Sequence, residues 1–260
     1  MRENPPVQRP NLLAHYLAFG LAGYLASLLS MVYFGLFLAN LVVPKSIDSP
    51  PAGPTGRALV TDLALILAFG LVHSLMARQG FKERLERVFP AALERSLYSL
   101  VAGLQMACLC WGWQALPSPV WQVATNPAAE GGSAALGLGL WALQGAGWGI
   151  VIAALATIGS THLFGLQQAW SAARGVPYVA PPFASRGLYR WVRHPVYTGS
   201  LVAIWSTPVM SQGRLLLVGG LTIYLFVGLI FEERDLERQF GEVYREHKRR
   251  IPSLLPRLLK

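Results

Sequence analysis

Two groups of polar and charged side chains stand beside apolar runs toward the C-terminal end of this chain. The first is Arg193-His194-Pro195-Val196-Tyr197-Thr198-Gly199. The second is Glu232-Glu233-Arg234-Asp235, followed by Phe240-Gly241-Glu242-Val243-Tyr244 and Arg249-Arg250-Ile251-Pro252. Polar groups at the margin of a membrane span are costly, so such a cluster is a functional hypothesis by default. Pro195 suits the first position of a helix, where its missing N–H costs nothing. The amides that follow it then form an anion site, reinforced by Arg193 and His194. If the second group continues a helix, Glu233, Glu237, Phe240 and Tyr244 recur at three- and four-residue spacing and form one stripe. Two carboxylates there can receive an ammonium or sulfonium group while the facing helix start receives a carboxylate. A zwitterion with a positive sulfur matches that pair. The competing reading is structural: a basic stretch anchoring a helix end, and a solvated acidic helix with local ion pairs.

The elements that must position these residues follow from composition. The chain has 260 residues, 53% hydrophobic and 13% charged, against about 25% charged in soluble domains. The charges are absent from long stretches, including those between Arg9 and Lys45, Asp62 and Arg78, Arg95 and Glu130, and Glu130 and Arg174. Shorter gaps precede and follow Arg214. A helix rises about 1.5 Å per residue, so about 20 apolar residues cross a bilayer. The expectation is an all-α, polytopic transmembrane helical bundle with about six spans: 11–43, 58–77, 96–116, 134–160, 196–212 and 214–231, with five as the alternative count. The last two are short, and the tight 209–213 turn between them suits a hairpin that crosses only in part.

Six spans place all of the 22 Lys and Arg residues except Lys45, Arg57 and Arg214 on one side. By the positive-inside rule that side is the cytoplasm, and both termini lie there. The net charge of +9 is then an orientation signal, and no soluble domain remains to carry a nucleic-acid surface. The first apolar run is too long for the core of a cleaved signal peptide. The loops 44–56 and 117–132 read as ordinary turns. Cys108 and Cys110 sit two apart in an apolar run and point in different directions around a helix, so neither a disulfide nor a metal site is expected.

Arg-His-Pro-x-Tyr-x-Gly, then Glu-Glu-x-x-Leu, Phe-Gly-x-x-Tyr and the closing Arg-x-Pro-type segment, in that order, resemble the membrane methyltransferases of the isoprenylcysteine carboxyl methyltransferase and NnrU-type superfamily. The segments 40–54, 73–82, 94–96, 163–166 and 205–208 are similar to the methanethiol S-methyltransferases, and the likeness covers nearly the whole chain. It implies S-adenosyl-L-methionine as cofactor, methanethiol as the small volatile acceptor, dimethyl sulfide as product, and a bacterial inner membrane as the setting. No obligate protein partner is implied. On this resemblance the chain is one domain, 1–160 forming the bundle and 161–260 the cofactor-binding and catalytic segment. His194, Pro195, Tyr197 and Gly199 border the cofactor, Glu232 and Glu233 meet its charged end, Tyr244 and Arg249 cover it, and Gln168 reaches it from the preceding helix. One segment departs from the family pattern, with Ser160, His162 and Gln167 where a His, an acid and an Arg are usual. That departure leaves open another small or lipophilic thiol, or a prenylated cysteine carboxylate, as acceptor.

Attack of a thiolate on a sulfonium methyl annihilates two opposite charges, which a dry pocket favours. The protein must then align the pair and supply the thiolate, because a thiol near the reference cysteine value of about 8.5 is mostly protonated at neutral pH. A base or a positive field can do so. His162 and His73, each near a span end, are the candidate bases, and Arg193 of the basic motif is the third candidate catalytic residue. A transporter with broken helices at its midplane is the reading from another class; against it, the polar cluster lies at one face and no repeat is present.

Overall fold

The computed structural model describes residues 10–125, 133–183 and 185–256. The two chain ends, whose side of the membrane was expected from charge, and most of the distal part of the 117–132 turn lie outside these residues. The described chain is a helical bundle. Helix α1 runs Pro10–Ala39, α2 Thr55–Ala77, α3 Gln79–Leu85 and α4 Ala91–Gly112. A short strand β1, Pro119–Gln122, precedes α5, Ser133–Ile158. Then come α6, Ser160–Leu163; α7, Leu166–Ala173; α8, Pro195–Trp205; strand β2, Val209–Ser211; α9, Gln212–Phe240; and α10, Glu242–Arg250.

Prolines and a serine mark the helix starts. Pro54 and Pro90 immediately precede α2 and α4, and Pro195 opens α8, consistent with the tolerance of helix N-termini for a residue without an N–H. Ser211 caps α9 by accepting from the Arg214 amide at 3.1 Å. Helix α1 stops at Ala39, short of the expected 43, because Asn40 and Val42 take positive φ values of 54° and 51°.

Among the described residues four helices are long and apolar enough to cross a membrane: Leu13–Ala39, Thr55–Ala77, Ala134–Ile158 and Gln212–Phe240. The protein is a helical membrane protein. Helix α4 has 22 residues, a spanning length, but carries Glu94, Arg95 and Gln105. Helix α8 has only 11 residues, a rise of about 16 Å against a hydrocarbon core of about 30 Å. The chain then turns back at once. The 209–213 turn is not bare: β2 pairs antiparallel with β1, so the hairpin tip is tied to the loop after α4.

Helix α1 packs most extensively on α4, and α5 on α8. The apolar core gathers at the β1–β2 end, where Phe37, Leu38, Ile47, Leu109, Cys110, Trp113, Leu217 and Val218 are buried together. The 44–56 loop is part of that core and not a plain turn. Ile47 is fully buried, and Asp48 reaches the buried Arg214 at 3.3 Å while accepting from Ser211 Oγ at 2.5 Å and Asn40 Nδ2 at 2.8 Å. Cys108 and Cys110 are both free thiols.

Candidate functional site

At the opposite end of the bundle the helices diverge around a cavity of about 340 Å³. Helix ends build it. The last turns of α2 and α5 contribute His73, Leu155 and Ile158; the first turns of α4 contribute Arg95, Tyr98 and Ser99. The start of α8 adds His194, Val196 and Tyr197, and α9 adds Glu232. Ser27, Phe164, Tyr189 and Arg193 close the wall. The cavity thus draws on both halves of the chain and not on 161–260 alone.

The charged wall is a network between α8, α9 and α10. Arg193 donates from Nε to Glu233 Oε1 at 3.0 Å and from Nη2 to the same oxygen, while Nη1 reaches the carbonyls of Ile251 at 2.6 Å and Lys248 at 3.2 Å. Lys248 Nζ lies 3.0 Å from the other Glu233 oxygen and 2.7 Å from Glu237. His194 is buried between the two acids, Nε2 being 3.2 Å from Glu233 and Nδ1 3.7 Å from Glu232. Tyr197 donates to Glu232 Oε2 at 2.5 Å. The chain after α10 straps this corner: the Arg193 and His194 amides donate to Pro252 and Ser253, and Thr198 Oγ1 to Leu254.

This geometry separates the two acids that adjacency had made equivalent. Glu233 is taken up by Arg193, Lys248 and His194. Glu232 is the carboxylate that lines the cavity. The surrounding titratable groups respond accordingly. Burial, then the Glu232 charge, pushes the Tyr189 hydroxyl up to about 12. Burial and the nearby Arg193 and His194 hold the His247 imidazole below its ordinary value. Lys248 is raised by its hydrogen bonds to Glu237 and Glu233.

Of the residues expected from sequence, His73, Arg193, His194, Tyr197 and Glu232 line the cavity. Others sit elsewhere. His162 hydrogen-bonds Tyr178 at 3.2 Å, and Gln168 donates to the His162 carbonyl at 3.0 Å; neither lines the cavity. Pro195 opens α8 and is buried. Gly199 faces α5, where an added Cβ would meet the Gly147 carbonyl oxygen at 2.7 Å and the Val151 nitrogen at 2.9 Å. It serves close helix approach. The expected helical stripe from Glu233 to Tyr244 is interrupted, because Gly241 at φ 56° ends α9 and a new helix begins. Tyr244 is buried with its ring edge-on to Phe183 at 5.7 Å. Arg249 lies on the surface, paired with Glu242 at 3.0 Å.

Sequence reasoning did not single out Tyr98, Ser99 or the cavity role of Arg95. The signal was available: Arg95, Tyr98 and Ser99 fall at three- and four-residue spacing, a polar face at the mouth of an apolar helix.

A polytopic helical membrane protein with a charged cavity at one end of its bundle is therefore the class that fold and site define. The model of the NnrU protein family matches residues 63–257. The chain belongs to that family. It is 42% identical to the methanethiol S-methyltransferase of Mycobacterium tuberculosis, over 92% of this chain and 94% of the relative. It is 39% identical to methanethiol S-methyltransferase 2 of Bradyrhizobium diazoefficiens, over 93% and 90%. The methanethiol S-methyltransferase of Pseudomonas deceptionensis is 38% identical, over 99% and 96%. No solved structure matches the chain.

Proposed function

We propose that this protein transfers a methyl group from S-adenosyl-L-methionine to methanethiol, giving dimethyl sulfide. The observation that carries the reading is the cavity itself, in which the Glu232 carboxylate, two guanidinium groups and several aromatic rings meet. Such a wall fits a zwitterion with a sulfonium. Glu232 suits the cationic end, Arg193 or Arg95 the carboxylate, and the Tyr98, Tyr197 and Phe164 rings offer π faces to a sulfonium, as they would to any soft cation. The buried Ser99 Oγ and His73 Nδ1 have no hydrogen-bond partner among the described residues, which also suits a polar ligand.

When bound there, S-adenosyl-L-methionine supplies an electrophilic methyl group. The protein's own residues do the rest. Arg193 and Lys248 neutralise Glu233 and keep the corner rigid. His194 and Tyr197 hold the Glu232 carboxylate toward the cavity. Leu155, Ile158 and Ala102 make an apolar wall that excludes water and suits a small alkyl thiol. About 340 Å³ is at the small end of the range for ligand sites, about 300–1,000 Å³. His73 lines this cavity and His162 does not, so of the two histidines His73 is the one placed to take up a proton released there.

The relatives' names support the acceptor and their bacterial sources a bacterial inner membrane, while the distribution of basic residues supports an orientation with both termini in the cytoplasm. The whole chain acts as one domain. Purified protein given methyl-labelled S-adenosyl-L-methionine and methanethiol releases labelled dimethyl sulfide, read by gas chromatography. Absence of cofactor binding by calorimetry overturns the reading. Cofactor binding without turnover of methanethiol, but with turnover of another thiol, overturns the acceptor alone.

A further inference from the structure

We infer that Tyr98 is the catalytic residue that takes the proton from the acceptor thiol, passing its own proton to His73. This rests on the thiol-methylating reading above and gives the Tyr98 hydroxyl a role that the reading, which uses only the ring, leaves open.

Tyr98 Oη on α4 and His73 Nε2 on α2 are 2.6 Å apart, with ring centroids 4.8 Å apart. Both line the cavity. The His73 ring is otherwise set in aromatic surroundings, stacked on Phe69 at 5.3 Å and edge-on to Tyr224 at 6.0 Å. Its second nitrogen, Nδ1, is buried without a hydrogen-bond partner among the described residues. Among the described residues its hydrogen bond is to Tyr98, so the tautomer that leaves Nε2 free to accept is set by the tyrosine hydroxyl. The charged and titratable groups around Tyr98 are Arg95 and Glu94 on its own helix, Tyr224 and Glu232 on α9 and Tyr197 on α8. The Arg95 guanidinium lies 5.5 Å from the Tyr98 ring centre, a positive charge beside any anion formed at the phenol oxygen or the thiol sulfur. Ser99, one residue on, adds a buried hydroxyl without a partner among the described residues, and Ala102, a turn deeper, adds an apolar surface for the alkyl group.

A neutral phenol is a poor base by itself, since its conjugate acid is far too strong. The hydrogen bond to His73 removes that obstacle. The thiol S–H bond breaks and its electron pair stays on sulfur; the proton goes to Tyr98 Oη. The proton already on that oxygen moves along the 2.6 Å hydrogen bond to Nε2 of His73. Tyr98 ends neutral, as it began; the products are a thiolate and a His73 imidazolium, and no proton or electron is unaccounted for. In this relay His73 never needs to touch the substrate, which explains how a histidine packed among aromatic rings can serve a reaction in the cavity.

The test compares Tyr98→Phe with wild-type protein on two thiols of different acidity, methanethiol and the more acidic 2,2,2-trifluoroethanethiol, each variant's rate being taken relative to wild type on the same thiol, with donor affinity measured separately by calorimetry. The expected result is unchanged donor affinity, a fall in kcat of about a hundredfold or more with methanethiol, within the range of general acid–base catalysis, and a clearly smaller fall with the fluorinated thiol, which arrives already partly ionised. An equal fall with both thiols, or no fall with methanethiol, overturns the relay. If Tyr98→Phe also loses donor binding, His73→Gln keeps Tyr98 in place and is judged by the same two readouts. Wild-type protein that binds no donor or methylates no thiol refutes the underlying function instead, so the two failures are distinguishable.

Discussion

Arg193 and Glu233, forty positions apart, share one carboxylate oxygen between two guanidinium nitrogens, while the third nitrogen of Arg193 grips the Ile251 carbonyl at 2.6 Å. One side chain thereby joins the start of α8, the middle of the acidic run and the strap after α10.

That fork sets the first prediction. Arg193→Lys keeps the charge but cannot reproduce a planar, multi-point grip. Donor affinity is expected to fall about tenfold or more, because charge-assisted hydrogen bonds contribute about 1.5–3 kcal/mol each. Glu233→Gln leaves Arg193 and Lys248 without their counter-charge and is expected to lower stability by about 3 kcal/mol, the lower end for breaking a buried pair. Calorimetry and thermal unfolding in detergent measure the two effects; a Lys variant with wild-type affinity would remove Arg193 from the site's architecture.

Gly199 makes the second. Its motif position suggested a cofactor contact, but its free face lies on α5. Gly199→Ala is expected to force the two helices apart at a cost of about 1–3 kcal/mol, the usual range for overpacking. The melting temperature should fall, and Gly147→Ala on the facing helix should match it. Loss of donor binding at full thermal stability would return Gly199 to the cofactor site.

The third concerns the far end of the bundle. Arg214 is 1% exposed and its salt-bridge partner is Asp48. Removing Asp48 leaves a buried charge uncompensated, so Asp48→Ala is expected to cost about 3–5 kcal/mol. Asp48→Ala combined with Arg214→Met should recover much of that loss, since apolar replacement of a buried pair is often tolerated. A double variant no more stable than Asp48→Ala would show that the ion pair is not what the loop contributes.

The fourth is a pH dependence. The His247 imidazole is held below its ordinary value of about 6.5 by burial, with Arg193 and His194 adding repulsion. A base with a depressed folded-state pKa binds fewer protons folded than unfolded in the window below the unfolded value. Stability therefore falls as the pH drops from about 6.5 toward the folded-state value. Melting temperatures measured between pH 7.5 and 5 should decline for wild-type protein and decline less for His247→Phe, which retains the ring contact with Phe183 and has no proton to gain. Parallel declines would place the sensitivity elsewhere.

Much of the site was legible in order along the chain. His194, Tyr197 and Glu232 stand out because polar groups at the edge of an apolar run need a reason, and the cavity wall supplies one. Tyr98 did not stand out, because a single tyrosine in a span is also what an interfacial anchor looks like. His162 and His73 were indistinguishable by position, both being near span ends. Only packing shows that His73 turns into the cavity and that His162 turns to Tyr178. Arg249 and Gly199 were drawn in by motif membership, although one is solvated and the other is a helix contact.

The sequence by itself determined that this is a helical membrane protein with a polar cluster beside its last apolar runs, since charge-free runs of spanning length are properties of the chain read in order. The tertiary structure decided which of two adjacent acids faces the cavity, which histidine reaches it, and that α8 covers about half of a bilayer core. Those outcomes depend on partners brought together from positions 25 to 166 apart, such as His73 with Tyr98 and Asp48 with Arg214. No local period or spacing encodes them, because they are settled by which side chains can be buried together with their hydrogen bonds satisfied.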